Sequence, residues 1–172
     1  WHHWIWAEAR KGKGLNAARV VDEVNGLVAR YNLVRVYFDD NNVCASKRRV
    51  REICRGLMAA PRRFEWFATI RPSQVTAFDE EDLNLIRDSG CTKFMMGAES
   101  GDDTILELIN KDGVAADVLE ATRRCRDHRI QPSYLFIVCF PTERWRQMQT
   151  TLEFMKELRE IYAEPRTTPQ AF

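Results

Sequence analysis

The chain has 172 residues, 45% of them hydrophobic and 30% charged, with a formal net charge of +1. That length suits one domain and is too short for a comfortable pair, and the composition excludes the disordered and membrane-embedded classes. The near-zero charge offers no global field for nucleic acid or for an acidic membrane surface.

Residues 1–15 hold three tryptophans, two histidines and the stretch Lys11-Gly12-Lys13-Gly14 without any period, and they read as a flexible lead-in. Neither a basic leader nor a small-residue cleavage site is present there, so the expected location is the cytoplasm. The first residue is Trp1 rather than Met, so the chain is expected to be cut from something longer. His2 and His3 are adjacent in an irregular segment, a poor arrangement for ligating one metal. Asn16 is a good helix cap, and Val20, Val21, Val24, Leu27, Val28 and Tyr31 follow on one face at helical spacing. Residues 33–38 then form an apolar, β-branched and aromatic run ending on Asp39, Asp40, Asn41 and Asn42, which predicts a strand with a polar mouth.

Ser46 predicts a second cap, before Val50, Ile53, Cys54, Leu57 and Met58 at i, i+3, i+4, i+7 and i+8. Lys47, Arg48, Arg51 and Arg55 occupy the opposite side and are expected in water. Residues 64–70 predict another strand, with Arg71 at its exit because Pro72 cannot continue it. The acids at 79–82 suit a helix N-terminus, and Gly90 suits its end. A third strand is expected over 92–98, ending on Glu99 and Ser100. Downstream come a short helix near 103–109 and a helix over 115–128 that shows Arg123, Arg124 and Arg126 to water. The strongest apolar run, 134–140, ends at Pro141, Thr142 and Glu143. A last amphipathic helix over 144–162 has Trp145, Met148, Leu152, Met155 and Leu158 as its stripe, and 163–172 reads as a tail. The core is therefore 16–162.

Strand followed by helix, four times over, is the pattern of a parallel sheet joined by crossovers. Four strands do not close a barrel of about eight. The expected fold is α/β, an incomplete parallel (β/α) partial barrel with covering helices. Parallel strands place their carboxyl ends on one edge, where ligands of such sheets sit. Asp39, Asp40, Arg71, Glu99 with Ser100, and Thr142 with Glu143 are expected to share that rim. Several acids with one arginine suit a ligand carrying both an ammonium and a carboxylate.

Four stretches, in order and at these distances, make the sequence resemble the radical S-adenosylmethionine enzymes, in particular the group that often carries a cobalamin-binding domain. They are Val20-Val21-Asp22-Glu23, Phe38-Asp39-Asp40-Asn41, Gly97-Ala98-Glu99-Ser100-Gly101, and Phe136 through Glu143. The resemblance implies an enzyme with a six-strand partial barrel holding S-adenosylmethionine. Asp39 and Asp40, with Asn41 beside them, match the acidic motif that meets the methionine amino group. Glu99 matches the acid that looks toward the ribose or amino group, with Ser100 next to it. Arg71 stands where a carboxylate partner is expected, and Val138 and Pro141 fall where a loop packs on adenine. The resemblance also implies a four-iron, four-sulfur cluster, an electron donor, cobalamin in some members, and formation of a 5'-deoxyadenosyl radical.

Two departures stand out. The cluster-binding CxxxCxxC signature is absent; Cys44, Cys54, Cys91, Cys125 and Cys139 are widely spaced and are expected to be buried or inert rather than ligands. The expected account is that the signature lies upstream and that this chain alone is inactive. The loop that reads GxPGET in the family has Cys139 and Thr142 in the glycine places. Two other functions fit the residues. One is a magnesium-dependent (β/α)-barrel lyase or hydrolase using Asp39, Asp40 and Glu99; the other is a non-catalytic binding module. The substrate is not written in these residues.

Overall fold

The structure, a computed structural model, describes residues 16–39, 43–44, 46–60 and 62–163. The predicted lead-in, Asp40, Asn41 and nearly all of the predicted tail lie outside them. The elements run α1 (Ala17–Tyr31), β1 (Arg35–Phe38), α2 (Lys47–Met58), β2 (Glu65–Ile70), α3 (Pro72–Ala77), α4 (Glu80–Asp88), β3 (Cys91–Glu99), α5 (Asp103–Leu108), α6 (Ala115–Asp127), β4 (Gln131–Phe136) and α7 (Trp145–Ile161).

The four strands form one sheet in the order β1-β2-β3-β4, and every neighbouring pair is parallel. The order never reverses, so crossovers of one hand lay the helices against the same face. Burial agrees. Val36, Trp66, Ala68, Ile70, Phe94 and Met96 alternate onto that face and join Val24, Val28, Ile53, Leu57, Leu83 and Ile86 of the helices in the main core. Each such aliphatic side chain contributes about 1.5–3 kcal/mol when fully buried. Tyr37, Phe67, Thr69, Met95 and Leu135 point to the opposite, concave face and stay half-buried or exposed. A satellite cluster of Ala98, Val118, Phe154 and Leu158 seats α7 beyond the main core.

Four expectations need correction. First, the predicted strand at 134–140 is displaced: the ladder covers Gln131–Phe136, while Ile137 and Val138 are 50% and 47% exposed. The helix end sets this register. Arg129 adopts φ 58, and Ile130 N–H donates to Cys125 O at 2.9 Å, closing α6 so that the strand starts at once. Second, α3 was not predicted, because Pro72 signals a helix start as well as a strand stop; it occupies the first helical position.

Third, the buried face of α7 is Thr151, Phe154 and Leu158, with Trp145 66% exposed and Leu152 49% exposed. Fourth, three cationic side chains expected in water are tied down. Arg124 donates to the carbonyl oxygens of Val75 and Thr76 at 3.3 and 2.7 Å, closing the end of α3. Arg51 Nε lies 2.5 Å from Oδ1 of the buried Asp82, and Lys47 Nζ lies 3.7 Å from its Oδ2, so the basic side of α2 grips the first turn of α4.

A candidate cofactor site at the strand ends

The tip of β3 is bent. Glu99 has φ 61, and Ser100 N–H donates to Ala98 O at 2.7 Å. This is a γ-turn with positive φ at its centre, the rarer and strained form. Such a residue costs on the order of 1–3 kcal/mol and persists where its surroundings over-determine it. They do so here. Ile137 N–H donates to Glu99 O at 2.9 Å from the β4 side. Behind the tip, the Ser100 hydroxyl pairs with Thr151 Oγ1 at 3.0 Å, and Gly101 N–H donates to the same oxygen at 3.1 Å. A Cβ on Gly101 would lie 2.5 Å from Phe154 Cβ, so glycine lets α7 press against the backbone.

The Glu99 side chain folds back over Gly97 on the concave face. A Cβ at Gly97 would overlap Glu99 Oε1 and reach within 3.1 Å of Lys111 Nζ. Glycine therefore makes a cradle in which the carboxylate and the Lys111 ammonium meet, Nζ to Oε1 at 3.0 Å with the side chains 28% and 20% exposed. A register shift between Gly97 and Glu99 accompanies the bend.

The other expected residues lie along the same edge. Asp39 is the first residue after β1 and is exposed. Arg71 is the first after β2, where it caps α3, with its backbone N–H donating to Gln74 Oε1 at 3.0 Å. Its guanidinium, 64% exposed, sits 3.6 Å from Asp112. Asp40 and Asn41 lie outside the described residues. Ser100 is fully buried and turned toward α7 rather than toward the rim. On the concave face below, Tyr37 and Phe67 stack at 4.7 Å, and the Tyr37 hydroxyl pairs with Thr69 at 2.9 Å.

Val138 and Pro141 belong to the loop after β4, both exposed. Phe140 O accepts from Glu143 N–H at 2.9 Å, with Thr142 at φ 74. Proline second and a positive φ third make the turn of type II, which favours glycine in the third place. Cys139 also has positive φ, 67. The two residues that replace the family's glycines thus keep a backbone suited to glycine. Glu143 Oε2 accepts from Phe140 N–H at 3.0 Å, while its Oε1 is buried with no hydrogen-bond partner.

The cysteines do not fit an iron-sulfur cluster. Cys44, Cys54, Cys91 and Cys125 are buried, and Cys139 is exposed. Burial pushes the Cys54 thiol up to about 11 and the Cys125 thiol up to about 12, and drives Cys91 well above its usual value. Thiolate ligands need the reverse. Among the described residues no three acids, histidines or cysteines converge as a metal site. Glu99, one of the acids of the magnesium alternative, is already paired with an ammonium.

Lys111 and Thr151 were not singled out from the sequence, and Gly97 was named only as part of the stretch that ends on Glu99 and Ser100. A signal for Lys111 was available in Asn110, a residue that tolerates the left-handed conformation at a helix end. Thr151 carried none, since a threonine inside an amphipathic helix is ordinary.

The family model for the radical SAM superfamily matches residues 7–155. Among curated proteins, an uncharacterized methyltransferase of Pyrococcus horikoshii is 25% identical over 155 residues, covering 90% of this chain and 33% of the relative. The anaerobic magnesium-protoporphyrin IX monomethyl ester cyclase of Cereibacter sphaeroides is 26% identical over 153 residues, covering 88% and 24%. The chain thus spans about a third and about a quarter of their lengths. Among solved structures, the radical S-adenosylmethionine methyltransferase TsrM from Kitasatospora setae, with cobalamin and a 4Fe-4S cluster bound, superposes with a TM-score of 0.70 at 23% identity, covering 84% of this chain and 29% of that one. That likeness extends the parallel-sheet fold to a solved protein.

Proposed function

The chain belongs to the radical SAM superfamily, and from that premise we propose that the rim formed by Asp39, Arg71, Glu99 and the loop after β4 binds S-adenosylmethionine. The observation that carries the proposal is the strained turn at Glu99, which aims a carboxylate over the Gly97 cradle on the edge where the exits of β1 and β2 also lie. The donor set fits the group: acids for an ammonium, an arginine for a carboxylate, and exposed Val138 and Pro141 for a purine face.

Asp39, with Asp40 and Asn41 beside it, takes the methionine ammonium. Arg71 takes the carboxylate, and Glu99 takes the ribose hydroxyls or the ammonium. Ser100 acts from behind, holding the turn against Thr151. Charge-assisted hydrogen bonds contribute about 1.5–3 kcal/mol each, so several together are needed for useful affinity. When bound beside a reduced cluster, S-adenosylmethionine supplies a carbon-centred radical that abstracts hydrogen from substrate. The five cysteines here do not fit that cluster, so its ligands, an electron donor and any cobalamin are assigned to the rest of the protein. Methyl transfer and ring closure, the reactions named for the relatives, are the two classes proposed for the whole enzyme.

The test is equilibrium binding of S-adenosylhomocysteine to the full-length protein. Glu99→Gln and Arg71→Ala should each weaken it by roughly tenfold, the value of one charge-assisted contact. Unchanged affinity in both variants would reject the site.

A further inference from the structure

We propose that the edge of the sheet opposite the cofactor rim carries a second site, which captures the carboxyl-terminal residue of a partner polypeptide when that residue is apolar. A groove of about 360 Å³ opens there, lined by Val34, Arg35, Arg63, Phe64, Glu65 and Gly90. All six stand at or just before the starts of β1, β2 and β3, whereas Asp39, Arg71 and Glu99 stand at the other ends of the same strands. The groove therefore shares no residue with the rim, and its volume is that of a small-ligand site.

Its backbone is fixed and partly bare. Gly90 has φ 101, and a Cβ there would lie 2.5 Å from Phe64 O, so glycine is required and this wall is backbone alone. Glu65 N–H donates to Val34 O and Trp66 N–H donates to Gly90 O, both at 2.9 Å. Trp66 Nε1 also donates to Ser89 O at 3.2 Å, and Ser89 Oγ donates to Ile86 O at 2.7 Å, so the segment before Gly90 is tied to β2 and to α4. Phe64 is buried, whereas Val34 is 67% exposed and leaves an apolar wall open to a ligand.

The charges around the groove are incompletely matched. Arg63 Nη1 donates to the carbonyl oxygen of Asp88 at 3.0 Å, and among the described residues no carboxylate pairs with its guanidinium. The Asp88 carboxylate is taken by Arg87 at 2.8 Å. Arg35 places both Nε and Nη2 on a single oxygen of Glu65, Oε2, at 3.0 and 2.7 Å. Arg35 Nη1 and Glu65 Oε1 are thereby left over for a ligand. The set is a cation for a carboxylate, an acceptor for an N–H, a donor for a carbonyl and an apolar wall for a side chain. The last residue of a polypeptide offers those four groups together. An inorganic anion would use the cation alone and be repelled by Glu65, and an internal acidic side chain would leave Val34 without an apolar contact.

The experiment is a ligand-observed NMR titration of the full-length protein with the tripeptide N-acetyl-glycyl-glycyl-leucine and with its carboxyl-terminal amide. The acid should bind saturably and about tenfold more tightly than the amide, the value of one charge-assisted contact. Arg63→Gln should remove that preference by weakening the acid alone. Val34→Asp, at an exposed side chain, should weaken both peptides, the acid more, and stands as the test should Arg63→Gln not fold. Affinity for S-adenosylhomocysteine, which reports the rim, should be the same in wild type and both variants, so this site and the rim stand or fall separately. Absence of saturable binding by the acid, equal binding of acid and amide, or a preference that survives Arg63→Gln overturns the proposal. N-acetyl-leucine or inorganic phosphate binding as tightly as the tripeptide also overturns it, because the site would then read an amino acid or an anion and not a chain end.

Discussion

Thr151 in the middle of α7 pairs with the Ser100 hydroxyl at 3.0 Å and takes the Gly101 N–H at 3.1 Å, so one threonine side chain holds two consecutive residues of the strand tip. Thr151 and Ser100 are both fully buried. Thr151→Val keeps the shape and removes the hydroxyl, leaving a buried donor and a buried hydroxyl short of partners. The cost should be about 1–3 kcal/mol, seen as a lower midpoint in urea. Thr151→Ser should restore most of it; equal losses in both would show that the methyl group, and not the hydroxyl, matters.

Thr142 is β-branched at φ 74, in a turn position that favours glycine. Thr142→Gly relieves the left-handed strain, roughly 1–2 kcal/mol, and loses some of that gain to the added freedom of the unfolded chain. A net stabilisation of about 0.5–1 kcal/mol is expected, measured as a raised melting temperature. A fall would mean that the Thr142 side chain makes a compensating contact.

Arg51 and Lys47 hold Asp82, whose side chain is only 1% exposed. Arg51→Met would strip the closer of the two cations from a carboxylate that water does not reach. Stripping a cation from a buried carboxylate is destabilising, and the partial exposure of Arg51 and the remaining lysine soften the loss. A lower urea midpoint at neutral pH is expected. An unchanged midpoint would show that Lys47 suffices.

The Asp102 carboxyl is pushed up by burial, but hydrogen bonds from Thr104, Ile105 N–H and Gln147 outweigh this and hold it below the usual carboxylate range. A depressed folded value means that its contribution to stability is complete above the unfolded value of about 3.9 and is lost as pH falls through the lower folded value. Asp102→Asn retains a capping side chain and removes the titration. Its acid-unfolding curve should therefore be shallower below about pH 4, while stability near neutrality changes little.

Cys139 is the exposed thiol, and the other four are buried. A thiol reagent should label one cysteine quickly in the folded protein and the rest only on unfolding. Cys139→Ser should abolish the fast phase; fast labelling that survives this change would contradict the burial of the other four.

The alternation of strand and helix was legible because parallel strands are near-continuous apolar runs, and β1, β2 and β3 lie within three residues of where those runs place them. β4 was not, because the closing turn at Arg129 and Ile130 decides where pairing starts, and hydrophobicity alone continued the strand to Phe140. The rim was legible as a set of strand exits at Asp39, Arg71 and Glu99. Its detailed chemistry was not. The positive φ of Glu99 depends on contacts from the residue that follows β4 and from α7, 38 and 52 places on, and no local pattern records them. The α7 stripe was misread for a related reason: burial there is decided by the fit of Phe154 against Gly101 and Ala98, so larger apolar side chains such as Trp145 were left outside.

The division of the apolar interior into a large cluster and a small one has a mechanical side. Phe94 and Met96 root β3 in the large cluster, whereas Ala98, two residues nearer the tip, already belongs to the small one with Phe154 and Leu158. Torque on α7 would therefore be transmitted to the last turn of the strand while the foundation stays put, making that helix the natural handle by which neighbouring parts of a larger machine could steer the Glu99 carboxylate.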